Sequence, residues 1–149
     1  MRYAVHDRHR RLLALLGFST AARKLAARDR FIGWTPALRE KNLPQVIDNA
    51  RFLILPWIEI PNLASHILSV VCRQLIEDWT ARYRITPLLI ETFVETPRFT
   101  GTTYKASGWT QVGVTLGRGR YDRRKQYDKP KKAIWLRPLR KDWKRTLNR

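Results

Sequence analysis

Two continuous apolar segments flank an amphipathic helix in the middle of the chain, and this order limits the possible folds most strongly. The segments span residues 51–60 ("RFLILPWIEI") and 87–94 ("PLLIETFV"), and both are typical of buried strands. Between them, residues 61–79 repeat apolar side chains at three- and four-residue steps, which predicts a helix packed against a sheet. Residues 109–115 alternate as a further strand. Together with a short helix before residue 109, this order predicts an α/β core of about 100 residues.

Weaker signals lie on either side of this centre. Residues 12–18 ("LLALLGF") predict another buried strand, and residues 21–34 end in an aromatic and β-branched piece that predicts the next one. Residues 133–139 are a weaker strand candidate, and if they form only an edge strand, a chain ending at Leu116 could still fold.

Helix starts are indicated by two Thr-Pro pairs. Thr35 is a suitable N-cap and Pro36 a suitable first helical residue, and Thr96 with Pro97 repeats this pattern. Gly108 is predicted to end the second of these helices in a left-handed conformation.

Positive charge is concentrated at the two ends of the chain. The net charge of +18 over 149 residues divides into +6 for residues 1–30, +1 for residues 31–117 and +11 for residues 118–149. A nearly neutral middle between two basic ends is typical of a folded core that presents its ends to a polyanion. Nucleic acid is therefore the leading partner class, with an acidic protein bound by an assembly subunit as an alternative.

The same charge pattern predicts the domain organisation. We predict a core over residues 1–116, with a basic N-terminal end at residues 1–11 that is mobile, followed by a basic extension over residues 117–149 that packs partly on the core. A membrane partner is not predicted, because Gly and Pro interrupt the basic segments. Cys72 is the one cysteine, which excludes an intrachain disulfide and favours a reducing, cytoplasmic compartment.

Basic side chains with interleaved aromatic residues carry the nucleic-acid prediction, because cations neutralise phosphates and aromatic rings stack on exposed bases. In "ARDRF" we predict contacts from Arg28 and Arg30, with Asp29 orienting both arginines. The predicted contacts in the C-terminal part are Arg118, Arg120, Tyr121, Arg123, Arg124, Lys125, Tyr127, Lys129, Lys131, Lys132, Arg140, Lys141, Trp143, Lys144 and Arg145. No zinc-finger or RNP pattern is present, so sequence-specific recognition is not predicted.

Several segments, in order, resemble the DruA family of the Druantia anti-phage system, whose domain is also found beside transposases. The segments are "ARDRFIGW" (27–34), "NARFLILPW" (49–57), "PNLASHIL" (61–68), "ETFVETPRFTGTTYKASGW" (91–109) and "GRGR" (117–120). The resemblance spans residues 12–137 and implies a role in phage defence or in a mobile element, which favours DNA over RNA. Its relatives carry an extra N-terminal region, which implies either a short form of the family or a protein partner that completes the N-terminal half.

Residues 51–115 are also similar in layout to the GNAT acyltransferase fold. This resemblance implies an α+β fold: a GNAT-like mixed sheet with helices packed on it, an incomplete N-terminal half and a basic C-terminal extension. It also implies that strands 51–60 and 87–94 splay apart and frame a crevice near Asn62. In such enzymes the position of Tyr104 supplies a proton to the leaving thiolate.

The loop that would hold the cofactor departs from that family's pattern. In "EIPNLAS" (59–65), Asn62 replaces an expected glycine, Pro61 lacks an N–H donor and Glu59 would repel a diphosphate. We therefore predict no bound acetyl-coenzyme A and no other cofactor. Tyr104 is then expected to pack on the sheet with its hydroxyl bonded locally.

Carboxylates in apolar surroundings leave an enzymatic alternative open. Glu91 lies in a predicted buried strand and requires a cationic partner, for which Arg51 or Arg98 is expected. A structural ion pair is the preferred interpretation. The alternative is catalysis with Tyr104, Glu91 and Asp29 as candidate residues. The enzyme would be either an acyltransferase with a rebuilt pocket, in which Tyr104 supplies the proton, or a nuclease built on Asp29, Glu91 and Glu95. The three histidines lack ligand spacing, so no metal site is predicted.

Overall fold

The computed structural model describes residues 1–117 and 129–149. These residues form one six-stranded mixed sheet, in the order β1-β2-β3-β4-β6-β5, with helices on both faces. The strands are β1 (Arg2–His6), β2 (Leu12–Thr20), β3 (Val46–Ile54), β4 (Leu89–Glu95), β5 (Thr110–Val114) and β6 (Lys132–Pro138). The helices are α1 (Ala26–Ile32), α2 (Pro36–Asn42), α3 (Leu63–Tyr83), α4 (Thr102–Ala106) and α5 (Trp143–Leu147).

The sheet opens between β3 and β4. These strands run parallel and pair only from Val46 opposite Leu89 to Asp48 opposite Glu91. Beyond this point β3 continues alongside β2, and β4 continues alongside β6, both antiparallel. The two central strands therefore diverge, as the resemblance to acyltransferases implied.

Helix α3 covers one face of the sheet. Its side chains Leu68, Val71, Leu75 and Trp79 are buried against β2, β3, β4 and β6, as the periodicity of residues 61–79 predicted. Removal of this much apolar surface from water is the main force that fixes the helix on the sheet.

The opposite face is covered by α1, α2 and α5. Ile32 of α1 and Leu147 of α5 are both fully buried, together with Val46, Leu89 and Leu136 of the sheet. Successive residues of a strand point to opposite faces, so Leu89 belongs to this core and Ile90 to the core under α3.

Several predicted elements are confirmed. The strands at 12–18, 87–94 and 109–115 correspond to β2, β4 and β5. The Thr35 hydroxyl accepts a hydrogen bond from the Leu38 N–H at 3.2 Å and caps α2 as predicted, and Gly108 has a left-handed φ of 82°.

One predicted strand is wrong, and another, at residues 133–139, is present as β6 but lies in an unexpected position. Residues 26–32 form a helix, because Gly33 ends it in a left-handed conformation and Arg28 turns inward to pair with β4. Strand β6 lies between β4 and β5 and is not at an edge, and its residues Ala133 to Leu136 are all buried. Residues 132–149 therefore belong to the same folded body as the core.

Three boundaries also differ from the predictions. Strand β3 starts at Val46 and ends at Ile54, and the continuation contains Trp57, which is 73% exposed. The helix expected after Thr96 and Pro97 begins only at Thr102, after a turn. The N-terminal end, expected to be mobile, forms β1 through antiparallel pairing with β2.

Candidate functional site

A cleft of about 560 Å³ occupies the opening between β3 and β4. The cleft is lined by Phe52, Ile54, Ala64, Phe93, Val94, Glu95, Phe99, Thr100, Gly101, Thr102, Thr103, Tyr104 and Lys132. Gly101 holds one wall close to the sheet, since a Cβ at this position would lie 2.5 Å from Cζ2 of Trp135, and its φ of 74° favours glycine. The cleft therefore results from the splayed strands and from a glycine that lets the chain before α4 approach β6.

Tyr104 is bonded within the floor of this cleft. Its hydroxyl donates a hydrogen bond to Oδ1 of Asn49 at 3.2 Å, and the Asn49 Nδ2 donates to the carbonyl oxygens of Gly17 and Arg51. Burial raises the pKa of Tyr104, so the hydroxyl keeps its proton at neutral pH. This local bonding is the arrangement that the sequence analysis preferred for Tyr104.

Asp48 is a further ionisable residue at the point where β3 and β4 part, and the sequence analysis did not select it. Its Oδ1 atom is buried and has no hydrogen-bond partner among the residues that the structure describes. Burial, reinforced by the negative charge of Glu91, raises the pKa of Asp48 to about 7, while Lys132 and Arg51 act in the opposite direction. The segment "QVIDNA" could have indicated this residue, because a carboxylate between apolar residues is costly to bury.

Asp48→Asn should raise the free energy of unfolding at pH 8 by about 1–3 kcal/mol and leave it unchanged near pH 4. The folded pKa of about 7 lies above the usual 3.8, so the folded state keeps this proton to a higher pH than the unfolded chain. The contribution of Asp48 to the free energy of unfolding of the wild type therefore decreases as pH rises from about 4 to 7. Asparagine carries no charge at any pH in this range, so the variant does not lose this stability. Urea unfolding at pH 4, 6 and 8 measures the difference, and a difference that does not change with pH would contradict the assignment.

Arg28 forms a buried ion-pair network on the α1 face of the sheet. Its side chain is fully buried, and its guanidinium donates to Glu91 Oε2 at 2.8 Å, to the Ala22 carbonyl oxygen at 2.7 Å and to Asp29 Oδ1 at 2.9 Å. The Ala22 N–H donates to the other Glu91 oxygen at 2.7 Å. Burial raises the pKa of Glu91, and the Arg28 charge counteracts that effect.

This network changes several predicted roles. Glu91 is paired with Arg28, not with Arg51 or Arg98 as expected. Asp29 binds Arg28, Arg39 and the indole N–H of Trp34 but not Arg30, which is exposed. The prediction that Arg28 contacts nucleic acid does not fit its complete burial.

The three predicted catalytic residues do not converge. Asp29 and Glu91 lie on the α1 face and are joined through Arg28, whereas Tyr104 packs with the core under α3. Glu95 lines the cleft separately from both. Within residues 1–117 and 129–149, no group of three or more His, Cys, Asp or Glu side chains could hold a metal ion.

The segment before α3 keeps the features that were predicted to weaken cofactor binding. Asn62 adopts a left-handed φ of 59°, and Glu59 and Pro61 are both exposed beside it. Asn62, Leu63 and Ser65 line a smaller hollow of about 250 Å³. The expectation that acetyl-coenzyme A does not bind stays a prediction.

Helices α1 and α5 come from the two basic ends of the chain, contact each other and carry exposed basic side chains. Phe31 stacks on Trp143 with ring centroids 5.9 Å apart, and the Asn148 side chain donates to the Ile32 carbonyl oxygen at 3.0 Å. The Lys144 ammonium lies 5.7 Å from the Phe31 ring centroid. We call the group Arg30, Phe31, Trp143, Lys144 and Arg145 the α1–α5 patch.

The predicted nucleic-acid residues of the C-terminal part differ in their surroundings. Lys129, Lys131, Lys132 and Lys141 are exposed, whereas Arg140 is paired with Asp142. Trp143 is half-buried, and one face of its ring is covered by Phe31, which differs from the predicted free stacking surface. The residues that lie outside the described part of the chain are Arg118, Arg120, Tyr121, Arg123, Arg124, Lys125 and Tyr127.

Comparison with known families identifies the chain. The family model described as Druantia protein DruA matches residues 1–133. The chain belongs to the DruA family. This match includes β1, which lies before the segments that carried the sequence resemblance. No curated protein matches this DruA family member closely enough to count as a relative.

Solved acetyltransferases share the fold of this DruA chain. A spermidine N-acetyltransferase from Vibrio cholerae, solved with CoA and spermine, has a TM-score of 0.58 at 11% identity over 93% of this chain and 64% of its own. Naa20 from Chaetomium thermophilum, solved with a bisubstrate analogue, has a TM-score of 0.55 at 13% identity over 98% and 70%. The DruA chain thus has a GNAT-like fold and spans about two thirds of these proteins. None of its helices in the described residues is long and apolar enough to cross a membrane.

Proposed function

We propose that this DruA family member binds nucleic acid, in particular DNA, through a basic surface displayed on a GNAT-like scaffold. The observation that carries the proposal is the α1–α5 patch. The N-terminal and C-terminal parts of the chain each carry excess positive charge, and α1 and α5, which carry Arg30, Lys144 and Arg145, are in contact. A combined cationic surface attracts a polyanion more strongly than either end alone.

The distribution of the acidic side chains supports the same proposal. Glu91 is buried and Asp29 largely so, and both neutralise Arg28 in the interior, while Asp48 carries a raised pKa. Among the described residues, ion pairs within 4.0 Å involve only Arg11, Arg28, Arg39 and Arg140 as cations. Most of the exposed lysines and arginines are thus available to phosphates.

DNA is preferred over RNA because the DruA family belongs to an anti-phage defence system, in which invading DNA is a natural target. Two features favour binding to the sugar-phosphate backbone of DNA. The patch offers ammonium and guanidinium groups, and its two aromatic rings, Phe31 and Trp143, stack on each other and not on a free base. Such contacts hold a strand without reading its bases.

The affinity for DNA should fall steeply with salt. Each phosphate contact on a duplex contributes about −0.9 to the slope of log affinity against log salt, so five contacts give roughly −4 to −5. Fluorescence anisotropy with a labelled duplex between 50 and 300 mM salt measures the slope. An affinity that is independent of salt would contradict the proposal.

A matched pair of double variants locates the surface. Lys144→Ala with Arg145→Ala should lower the magnitude of the slope by about 2, because two phosphate contacts are lost. Arg73→Ala with Arg82→Ala removes the same charge from α3, which lies on the other face of the sheet. This control should change the slope much less. Absorbance at 260 nm and nuclease sensitivity of the purified protein separate this function from assembly with an acidic protein.

A further inference from the structure

We propose that the cleft between β3 and β4 holds one unstacked nucleobase of a single-stranded nucleic acid. This inference rests on the proposed function and adds a defined subsite to it. The cleft would take the base, and Arg98 and Lys132 beside it would meet the adjoining phosphates.

The size and walls of the cleft support this occupant. Its volume of about 560 Å³ lies within the range typical of small-ligand pockets. Phenylalanines from three separate segments line it: Phe52 on β3, Phe93 on β4 and Phe99 in the loop before α4. Aromatic side chains are the usual stacking surfaces for extruded bases, since every base has a π face.

Phe99 is the most exposed of the three phenylalanines that line the cleft, and packing explains its placement poorly. It is 54% exposed on a loop, and the Arg98 guanidinium lies 5.2 Å from its ring centroid. A large aromatic side chain left in water, with a cation over its ring, gains little from the fold. The same arrangement suits a base stacked on the ring, with a cation close enough for its phosphate.

The charges of the lining also fit a nucleotide. Lys132 is exposed and lines the cleft, so its ammonium is available to a phosphate at the cleft mouth. Glu95 is the one carboxylate among the lining residues, and it lies opposite Lys132 in the β4–β6 pairing. The hydroxyls of Thr102 and Thr103 provide hydrogen-bonding groups beside the aromatic walls. An aliphatic chain would use none of these polar groups.

Phe99→Ala tests the site, with Trp57→Ala as the matched control. Both side chains are exposed aromatics, but Trp57 does not line the cleft. Loss of one stacking contact should weaken binding of a ten-nucleotide oligothymidylate roughly 5- to 100-fold in Phe99→Ala, while Trp57→Ala should bind as the wild type does. Circular dichroism is the control that checks whether both variants remain folded.

An abasic oligomer with the same number of phosphates separates this site from the proposed function. It should bind wild type and Phe99→Ala equally, because no base is present to stack. If wild type binds both oligomers and Phe99→Ala weakens neither, the base site is wrong while the phosphate contacts stand. If Phe99→Ala weakens both oligomers equally, the residue contributes to phosphate binding and the base site is also wrong. Failure of wild type to bind either oligomer or a duplex would overturn the proposed function, and this subsite with it.

Discussion

Arg28→Ala is expected to destabilise the fold by about 3–5 kcal/mol. The substitution leaves the Glu91 carboxylate in the interior without its cation, and an unpaired buried charge costs far more than the pair contributes. The effect should be large because Arg28 also bonds the Ala22 carbonyl and Asp29, so one change disturbs the start of α1 and the centre of β4. Chemical denaturation followed by circular dichroism measures it.

Arg30→Ala is the matched control, since Arg30 lies on the same helix and is exposed. Its effect on the free energy of unfolding should stay within about 0.5 kcal/mol. The double variant Arg28→Met with Glu91→Leu removes both charges and should be more stable than Arg28→Ala alone, which keeps the test valid if the single variant does not fold. An Arg28→Ala protein as stable as the wild type would show that Glu91 does not depend on this pairing.

Truncation after Leu116 is expected to abolish cooperative folding, in contrast to the sequence-based expectation that such a chain could still fold. Strand β6 pairs with β4 along its whole length and also with β5, so its removal leaves both without their common neighbour. The truncation also removes Trp135, Leu136 and Leu147, each at most 5% exposed. The thermal transition of the two chains gives the comparison.

A chain ending at Leu139 provides the graded control. It keeps all six described strands and loses α5, so it should fold with reduced stability, because the buried Leu147 is removed from the second core. A cooperative transition in the chain ending at Leu116 would contradict the central position of β6. Because removal of β6 is expected to prevent folding, the contribution of the C-terminal cations to binding is better tested by substitution than by truncation.

Local patterns in the sequence were sufficient for the elements that carry their own periodicity. Helix α3 was predictable because its apolar stripe repeats over about four turns, and β2, β4 and β5 because each is a continuous or alternating apolar segment. The Thr35 cap and the left-handed Gly108 follow from residue chemistry that acts within a few positions. The family resemblance and the charge at the two ends were also readable directly from the residues.

The structure of segments with weak local sequence patterns depends on the elements that pack against them. Strand β6 is short, and only its pairing with both β4 and β5 makes it central. Residues 26–32 contain aromatic and β-branched side chains, yet they form a helix whose Arg28 reaches Glu91, 63 residues further along the chain. No local pattern records which cation pairs with which carboxylate, so Arg51 and Arg98 were equally reasonable partners for Glu91.

The sequence by itself determined the fold class, the family and the excess of positive charge at the ends, because these depend on composition and short-range periodicity. Only the tertiary structure decided the position of the charges and the shape of the site. Burial made Arg28 inaccessible to nucleic acid, the stack of Phe31 on Trp143 brought α1 and α5 together, and the divergence of β3 from β4 after Asp48 opened the cleft. Each of these depends on contacts between residues far apart in the chain, and such contacts are fixed only when the whole sheet and its two cores form together.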